Sequence, residues 1–189
     1  MARFNQSLFF LISGISSGIF TDLFLPEADK ARVASHLMEH LLLDDPLIDH
    51  SAVFFQSAEN HLSLLAILFL SGLTSLGIPA ACITLAYQGA ALGFSSALLM
   101  ESMSYQGALA MLFAILPPHL FVLPSLLVAS ASVMHRKGTL RAGNRRKRSL
   151  SVEPGPYCLS FVLPLILMIV AALLEAFISP AFLQLTGSR

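Results

Sequence analysis

The stretch Met168-Ile-Val-Ala-Ala-Leu-Leu-Glu175-Ala-Phe-Ile-Ser-Pro180 places one carboxylate near the end of a long apolar run. A second run, Ala114-Ile-Leu-Pro117-Pro118-His119-Leu-Phe-Val-Leu-Pro124, places a histidine directly after a proline pair. A charge at the centre of a bilayer costs at least about 2.5–3.5 kcal/mol, so such a side chain faces a protein interior, a partner or water. His119 and Glu175 are therefore the leading candidates for a functional site.

The composition around these residues is that of an integral membrane protein. Of the 189 residues, 56% are hydrophobic and only 12% are charged, and the apolar runs are long enough to cross a bilayer. The sequence thus predicts an all-α fold, a polytopic helical bundle that forms a single membrane domain over residues 1–189. The two cysteines, Cys82 and Cys158, lie in or at apolar segments, a placement that favours neither a disulfide framework nor a redox motif.

Charge is distributed unevenly along the chain. Residues 25–60 carry seven acids and two bases, whereas residues 135–148 carry seven bases and no acid. Cytoplasmic loops of membrane proteins are enriched in Lys and Arg, so we expect the basic loop 135–155 and the N-terminus in the cytoplasm. The loop 26–60 and the C-terminus are then extracytoplasmic, in the cell (inner) membrane. Because topology explains the basic run, no nucleic-acid partner is expected.

Counting crossings under this orientation predicts five transmembrane helices, since the apolar region between the two loops must cross an odd number of times. We place the spans at about 4–25, 62–83, 85–101, 105–134 and 157–177. A cleaved signal peptide is the alternative for the first run. We expect the fourth helix to be kinked or broken at Pro117-Pro118, because a proline removes a helical hydrogen bond and clashes with the preceding turn. Unpaired carbonyls would then lie beside His119.

The outside segment contains one amphipathic pattern. Val33, Leu37 and Leu41 recur at helical spacing, and Asp44-Asp45-Pro46 ends the pattern. Such a helix lies on the membrane, binds a partner or covers its own bundle. The sequence leaves the last two alternatives open, and we take Val33, Leu37 and Leu41 as the candidate partner-binding residues.

Small residues line two predicted helices. Gly14 and Gly18 form a Gly-x-x-x-Gly, and Gly89, Ala90, Gly93 and Ala97 form a second small-residue face, patterns that let a neighbouring helix approach closely. Gly14-Ile-Ser16-Ser-Gly18 also matches a nucleophile-elbow motif, but that motif requires a strand-turn-helix context. We therefore expect no catalytic residues.

Three polar residues form the predicted intramembrane polar site: His119, Glu175 and, near a helix end, Gln88. A histidine beside a carboxylate relieves the burial cost of both groups. Such a pair can act as a proton relay, as part of a metal site or as a polar clamp between helices. His36 and His40 have a spacing that can bind zinc but lack a third ligand. We expect no metal and no cofactor.

Several short motifs occur in one order along the chain. They are Gly77-Ile-Pro79, Tyr87-Gln88-Gly89-Ala-Ala-Leu92-Gly93, Pro118-His119 and Leu174-Glu175-Ala176-Phe177-Ile178-Ser179-Pro180. With these motifs the chain resembles the stage II sporulation protein M family of small membrane proteins. Gln88 stands where the family often has Asn, and Leu120 stands where it has Gly. The carboxylate that follows the family's histidine is missing after His119.

The resemblance implies a non-enzymatic membrane component with five spans and an outside loop. It implies an integral membrane scaffold or anchor for envelope-remodelling, peptidoglycan-acting partners, as in engulfment of a forespore. The expected partners are the lipid bilayer and membrane or extracytoplasmic proteins. The alternative is a small transporter or channel subunit with a His119/Glu175 site at a broken helix. This chain is short for a transporter, so that function would require a homo-oligomer.

Overall fold

The computed structural model describes residues 2–41, 50–74, 76–142 and 154–187, which are helical apart from short turns. The elements in chain order are α1 (Ala2–Phe24), α2 (Glu27–Leu41), α3 (His50–Leu73), α4 (Gly77–Ala110), a π-helical segment (Met111–Ile115), α5 (Leu116–Ala142), α6 (Pro154–Ser160) and α7 (Val162–Gly187).

Five stretches of the described chain are long and apolar enough to cross a membrane: Phe4–Phe24, His50–Leu73, Gly77–Ser102, Gly107–Arg136 and Gly155–Phe177. This confirms the predicted all-α bundle of five transmembrane helices.

The second and third spans begin earlier than the predicted positions 62 and 85. Polar side chains in the first half of α3, which begins at His50, find hydrogen-bond partners on α7. α4 starts at Gly77 because Pro79 lies in its first turn, where a missing N–H is tolerated. Residues 50–60 therefore belong to a span and not to the predicted loop 26–60.

α1 and α4 pack against each other through their small residues. A side chain at Gly14 would meet the backbone of Ala86, and one at Gly18 would meet the backbone of Ala90. Gly93 of α4 is equally close to the backbone of Ile15. Since both sets of contacts advance in the same direction along the two helices, α1 and α4 run parallel. The two small-residue faces of the sequence thus pack on one another.

α5 runs antiparallel to α1 and α4. Ser7, near the start of α1, donates a hydrogen bond to Met134, near the end of α5, with an Oγ–Sδ distance of 3.8 Å. The chain therefore folds back between the spans Gly77–Ser102 and Gly107–Arg136. Between α4, α5, α3 and α7 lies the apolar core, with fully buried side chains including Leu68, Leu85, Val122, Leu126 and Met168.

The interruption of the fourth span lies one turn before the predicted position. The backbone is π-helical over Met111–Ile115, and Pro117 and Pro118 occupy the first turn of α5. Neither proline can donate to the carbonyl four residues earlier, and a π-helical turn is a common way to absorb such a disruption. A second interruption separates α6 from α7 at Phe161, three residues before Pro164.

The basic segment is partly helical. α5 continues to Ala142, so Arg136, Lys137 and Arg141 lie on a helix and not in the predicted loop 135–155. Residues 143–153 of that loop lie outside the described part of the chain.

Candidate functional site

Glu175 of α7 is bound by two side chains of α3. Ser57 Oγ donates to Glu175 Oε2 at 2.5 Å, and His61 Nε2 lies 3.1 Å from the same oxygen. Ser57 and His61 are four residues apart, so they share one helix face, and both are buried. The carboxylate therefore ties the middle of α7 to the first half of α3.

His50 extends this contact by two turns. Its Nδ1–H donates to the carbonyl of Ala176 over 2.8 Å, because a carbonyl can only accept. Its ring stacks on Phe177 with 5.3 Å between ring centroids. His50, Ser57 and His61 therefore form one polar stripe on α3 that faces the last turns of the fifth span.

His119 lies near this stripe without a hydrogen bond to Glu175. Its Nδ1–H donates to the carbonyl of Ile115 over 2.8 Å, at the junction of the π-helical turn and α5. The neutral ring therefore carries its lone pair on Nε2. The His119 ring lies in the neighbourhood of both Glu175 and His61. The two residues singled out from the sequence share a neighbourhood, but the direct partners of Glu175 come from α3.

The geometry suits proton sharing and helix clamping. The Glu175 side chain is 41% exposed although its Oε2 accepts two bonds, so part of the carboxylate faces away from α3. Among the residues that the structure describes, no group of three His, Cys, Asp or Glu side chains is placed to hold a metal ion.

A second polar cluster lies where α1, α2 and α4 meet. Lys30 Nζ binds both carboxylate oxygens of Glu101, at 2.9 and 2.8 Å, and lies 3.5 Å from Glu27 Oε1. The hydrogen bond to Glu101 raises the pKa of the Lys30 ammonium above its ordinary value, against the opposing effect of burial. Asp22 of α1 is buried beside them, at 3% exposure. This cluster attaches α2 to the end of the third span.

The remaining predicted site residues are placed apart from Glu175. Gln88 is half-buried on α4, beside Gly89 of the α1–α4 contact, and takes no part in the hydrogen bonds of Glu175. Pro117 is half-buried and Pro118 buried. Val33 is 39% exposed. The side chains of Leu37, Leu41, His36 and His40 lie outside the described part of the structure.

Sequence reasoning missed His50, Ser57 and His61. His50 and Ser57 fall within the predicted outside loop 26–60, and His61 lies directly before the predicted second span at 62–83. Their spacing of seven and four residues is the signal that could have identified them, since it places all three on one helix face.

Comparison with known proteins agrees with this architecture. The family model described as stage II sporulation protein M matches residues 7–180. The matched region contains both polar clusters and all five spans, apart from the first residues of α1. No curated protein and no solved structure matches the chain. With five membrane-spanning helices and a match over nearly its whole length, the chain belongs to the stage II sporulation protein M family.

Proposed function

We propose that this protein is a non-enzymatic membrane scaffold that anchors envelope-remodelling, peptidoglycan-acting partners. The observation that carries the proposal is the placement of α2, the helix of the described chain that is neither a span nor part of one. Membership of the stage II sporulation protein M family supports it.

α2 is fixed to the bundle along one narrow face. Lys30 and Ala34, four residues apart, are buried against the bundle, whereas their neighbours on the helix are exposed. The bidentate contact of Lys30 with Glu101 holds this face in place. Val33 lies next to the buried face and begins the apolar pattern that continues in the sequence at Leu37 and Leu41. The sequence pattern of Val33, Leu37 and Leu41 predicts a continuous apolar face on this helix, and a continuous apolar surface is suited to bind another protein.

The proposed orientation places α2 outside the cytoplasm, where peptidoglycan lies. The argument is that α5 carries Arg136 and Lys137 to the opposite end of the bundle, and that the sequence has an excess of Lys and Arg from there to residue 148. The N-terminus is then cytoplasmic, and the C-terminus is extracytoplasmic, in the cell membrane. A reporter that is active only in the cytoplasm should be active when fused to the N-terminus and inactive at the C-terminus.

The partner role is tested by site-specific photo-cross-linking in the native membrane. A photoreactive residue at Val33 should capture a protein with an extracytoplasmic peptidoglycan-acting domain, identified by mass spectrometry. The same probe at His135, exposed at the other end of the bundle, is the control and should not capture that protein. If Val33 yields only lipid adducts and contacts within this chain, α2 is not the partner-binding element.

The hydrogen-bonded carboxylate within the spans favours a second candidate, a small oligomeric transporter or channel subunit. Intramembrane ionisable groups often mark proton or ion pathways, and the π-helical turn before His119 interrupts a span. Reconstituted protein would then carry a proton-coupled flux that Glu175→Gln and His119→Ala reduce. Absence of flux in wild-type proteoliposomes would eliminate this function.

A further inference from the structure

Asp22 of α1 is a buried carboxyl group with one oxygen left over. Its side chain is 3% exposed, and its Oδ1 accepts no hydrogen bond from any residue that the structure describes. Lys30, the cation of the same cluster, binds both oxygens of Glu101 and lies 3.5 Å from Glu27, so its three N–H groups are already directed elsewhere. A buried carboxylate without a donor is costly, so an ionised Asp22 is poorly accommodated at this place.

The carboxyl group that Asp22 faces is that of Glu101 on α4. The two groups are hydrogen-bonded to each other. An ionised carboxylate only accepts hydrogen bonds, so a bond between two carboxyl groups needs one proton between them. Two adjacent carboxylates in a partly buried site share a proton for the same reason. Glu101 is 50% exposed, which gives this proton access to water.

The packing of α1 on α4 keeps the two carboxyl groups together. The helices touch where an added Cβ at Gly18 would meet the backbone of Ala90 and Phe94. Asp22 follows Gly18 by one turn, and Glu101 follows Phe94 by two turns on a helix that runs parallel. Because the two backbones are in contact just before the carboxyl groups, repulsion between these groups is not relieved by separating α1 from α4.

The element that can respond is α2, which carries the other charges of the cluster. Lys30 and Glu27 face Asp22 from α2, and Glu101 faces it from α4; no described side chain of α5, which also packs on α1, is among its charged neighbours. Three carboxyl groups and one ammonium carry a net charge of minus one with a shared proton and minus two without it. An ionised Asp22 also competes with Glu101 for the ammonium of Lys30, the contact that holds α2.

We infer that Asp22 and Glu101 hold one shared proton and that this proton controls the attachment of α2 to the bundle. With the proton present, Asp22 is neutral and Lys30 is left to Glu101. Loss of the proton as pH rises loosens α2. In the orientation proposed above, the cluster exchanges this proton with the extracytoplasmic side. Its effect on partner binding rests on the proposed function of α2, whereas the shared proton itself does not.

The first test is hydrogen–deuterium exchange of the purified full-length protein in a neutral detergent. A detached α2 leaves both carboxyl groups in water, where they ionise above about pH 4. Protection of the α2 amides, corrected for the intrinsic exchange rate, should therefore fall as pH rises, by up to about tenfold per pH unit, the limit for one released proton. The series stays below the ordinary lysine pKa of about 10.4, so that Lys30 remains charged.

Two matched variants assign the effect to Asp22. Asp22→Asn should keep α2 protected across the series, because its amide N–H donates to Glu101 as the protonated carboxyl does and does not titrate. Asp29→Asn, on the exposed side of α2, should retain the pH dependence of the wild type. The same pH dependence in Asp22→Asn and the wild type would overturn the inference, as would wild-type protection that does not change with pH.

Infrared spectroscopy detects the proton itself. Near neutral pH the wild type should show a carbonyl stretch from a protonated carboxyl group that Asp22→Asn lacks and Asp29→Asn keeps; identical spectra of the wild type and Asp22→Asn in this region would overturn the shared proton. Both measurements use the chain without a partner. A proton-dependent α2 whose Val33 probe captures no peptidoglycan-acting protein would therefore contradict the proposed function and leave the shared proton in place.

Discussion

Two helix pairs in this bundle are held together in opposite ways. α1 and α4 meet backbone to backbone, at glycines that leave no room for a side chain. α3 and α7 instead meet through side chains, with Glu175 bound by Ser57 and His61 at one end. Membrane helices associate without a strong hydrophobic driving force, so close van der Waals packing and polar contacts are the two available means. This protein uses one of them for each pair.

The two contacts differ in whether they can titrate. The glycine contact of α1 with α4 has no titratable group, so its strength does not depend on protonation. A contact made by a carboxylate, an imidazole and a hydroxyl can gain or lose a proton and so change its strength. We therefore expect α1–α4 to act as the fixed frame of the bundle, and α3–α7 to be the pair whose contact responds to its surroundings.

The largest expected effect is on the glycine contact. Gly18→Ala places a Cβ against the backbone of Ala90 and Phe94, which cannot move aside as a side chain would. We expect a loss of about 1–3 kcal/mol in the free energy of unfolding, the range for overpacked sites. Thermal and denaturant unfolding in detergent measure it. Gly155→Ala is the control, because an added Cβ there meets nothing within 4 Å; equal effects of the two substitutions would contradict the close packing of α1 on α4.

A double-mutant cycle tests the polar contact of α3 with α7. His61→Ala and Glu175→Gln should show a coupling of about 0.6–1.7 kcal/mol, the average and maximum found for hydrogen bonds between membrane helices. His119→Ala with Glu175→Gln should give a smaller coupling, since no hydrogen bond joins those two side chains. A larger coupling energy for His119 and Glu175 than for His61 and Glu175 would contradict the structure. It would mean that His119 is the main partner of Glu175, as expected from the sequence.

The contact of α6 with α3, at the other end of the same two spans, gives a third test. Tyr157 donates its hydroxyl to the carbonyl of Phe69 over 2.9 Å and lies where a side chain at Gly72 would go. Tyr157→Phe should cost about 0.5–1.5 kcal/mol through the lost hydrogen bond. Gly72→Ala should destabilise the wild type more than the Tyr157→Phe protein, because the hydroxyl that obstructs the new methyl group is then absent. If the losses of unfolding free energy from Tyr157→Phe and Gly72→Ala are strictly additive, Tyr157 does not pack on Gly72 as described.

The smallest expected effect concerns α2 and pH. Because the folded-state pKa of Lys30 is raised, its contact stabilises the fold fully below the ordinary lysine pKa of about 10.4 and loses this contribution as pH rises through the higher folded-state value. Lys30→Gln should therefore lower the Tm near neutral pH and show a flatter decline of Tm at alkaline pH. Arg32→Gln, on the exposed side of α2, should match the wild type. If the Tm of Lys30→Gln falls at alkaline pH as steeply as that of the wild type, the alkaline loss of stability does not come from Lys30.

The fold was largely predictable and the site only in part. Five spans follow from hydropathy, and the interruption near Pro117 follows from proline chemistry, because both depend on neighbouring residues in the chain. The start of α3 at His50 was not predictable in the same way. Its polar residues reduce hydropathy locally, and only their bonds to α7 make their burial favourable.

The glycine contact illustrates the same limit. The sequence shows two small-residue faces, but nothing in either motif says that the face with Gly14 and Gly18 packs on the face with Gly89 and Gly93. Other pairings of the five helices would satisfy the same local patterns. The observed pairing depends on the shape of both helices together.

By itself the sequence determined the class of the molecule, the number of its spans and the presence of Glu175 and His119 within them, because each is decided by local composition and backbone chemistry. The tertiary structure alone decided the partners. Ser57 and His61 reach Glu175 from 118 and 114 positions away in the chain, and Lys30 reaches Glu101 from 71. Contacts at such separations arise from the packing of whole helices, in which a buried polar group is tolerated only where another helix supplies its hydrogen bond.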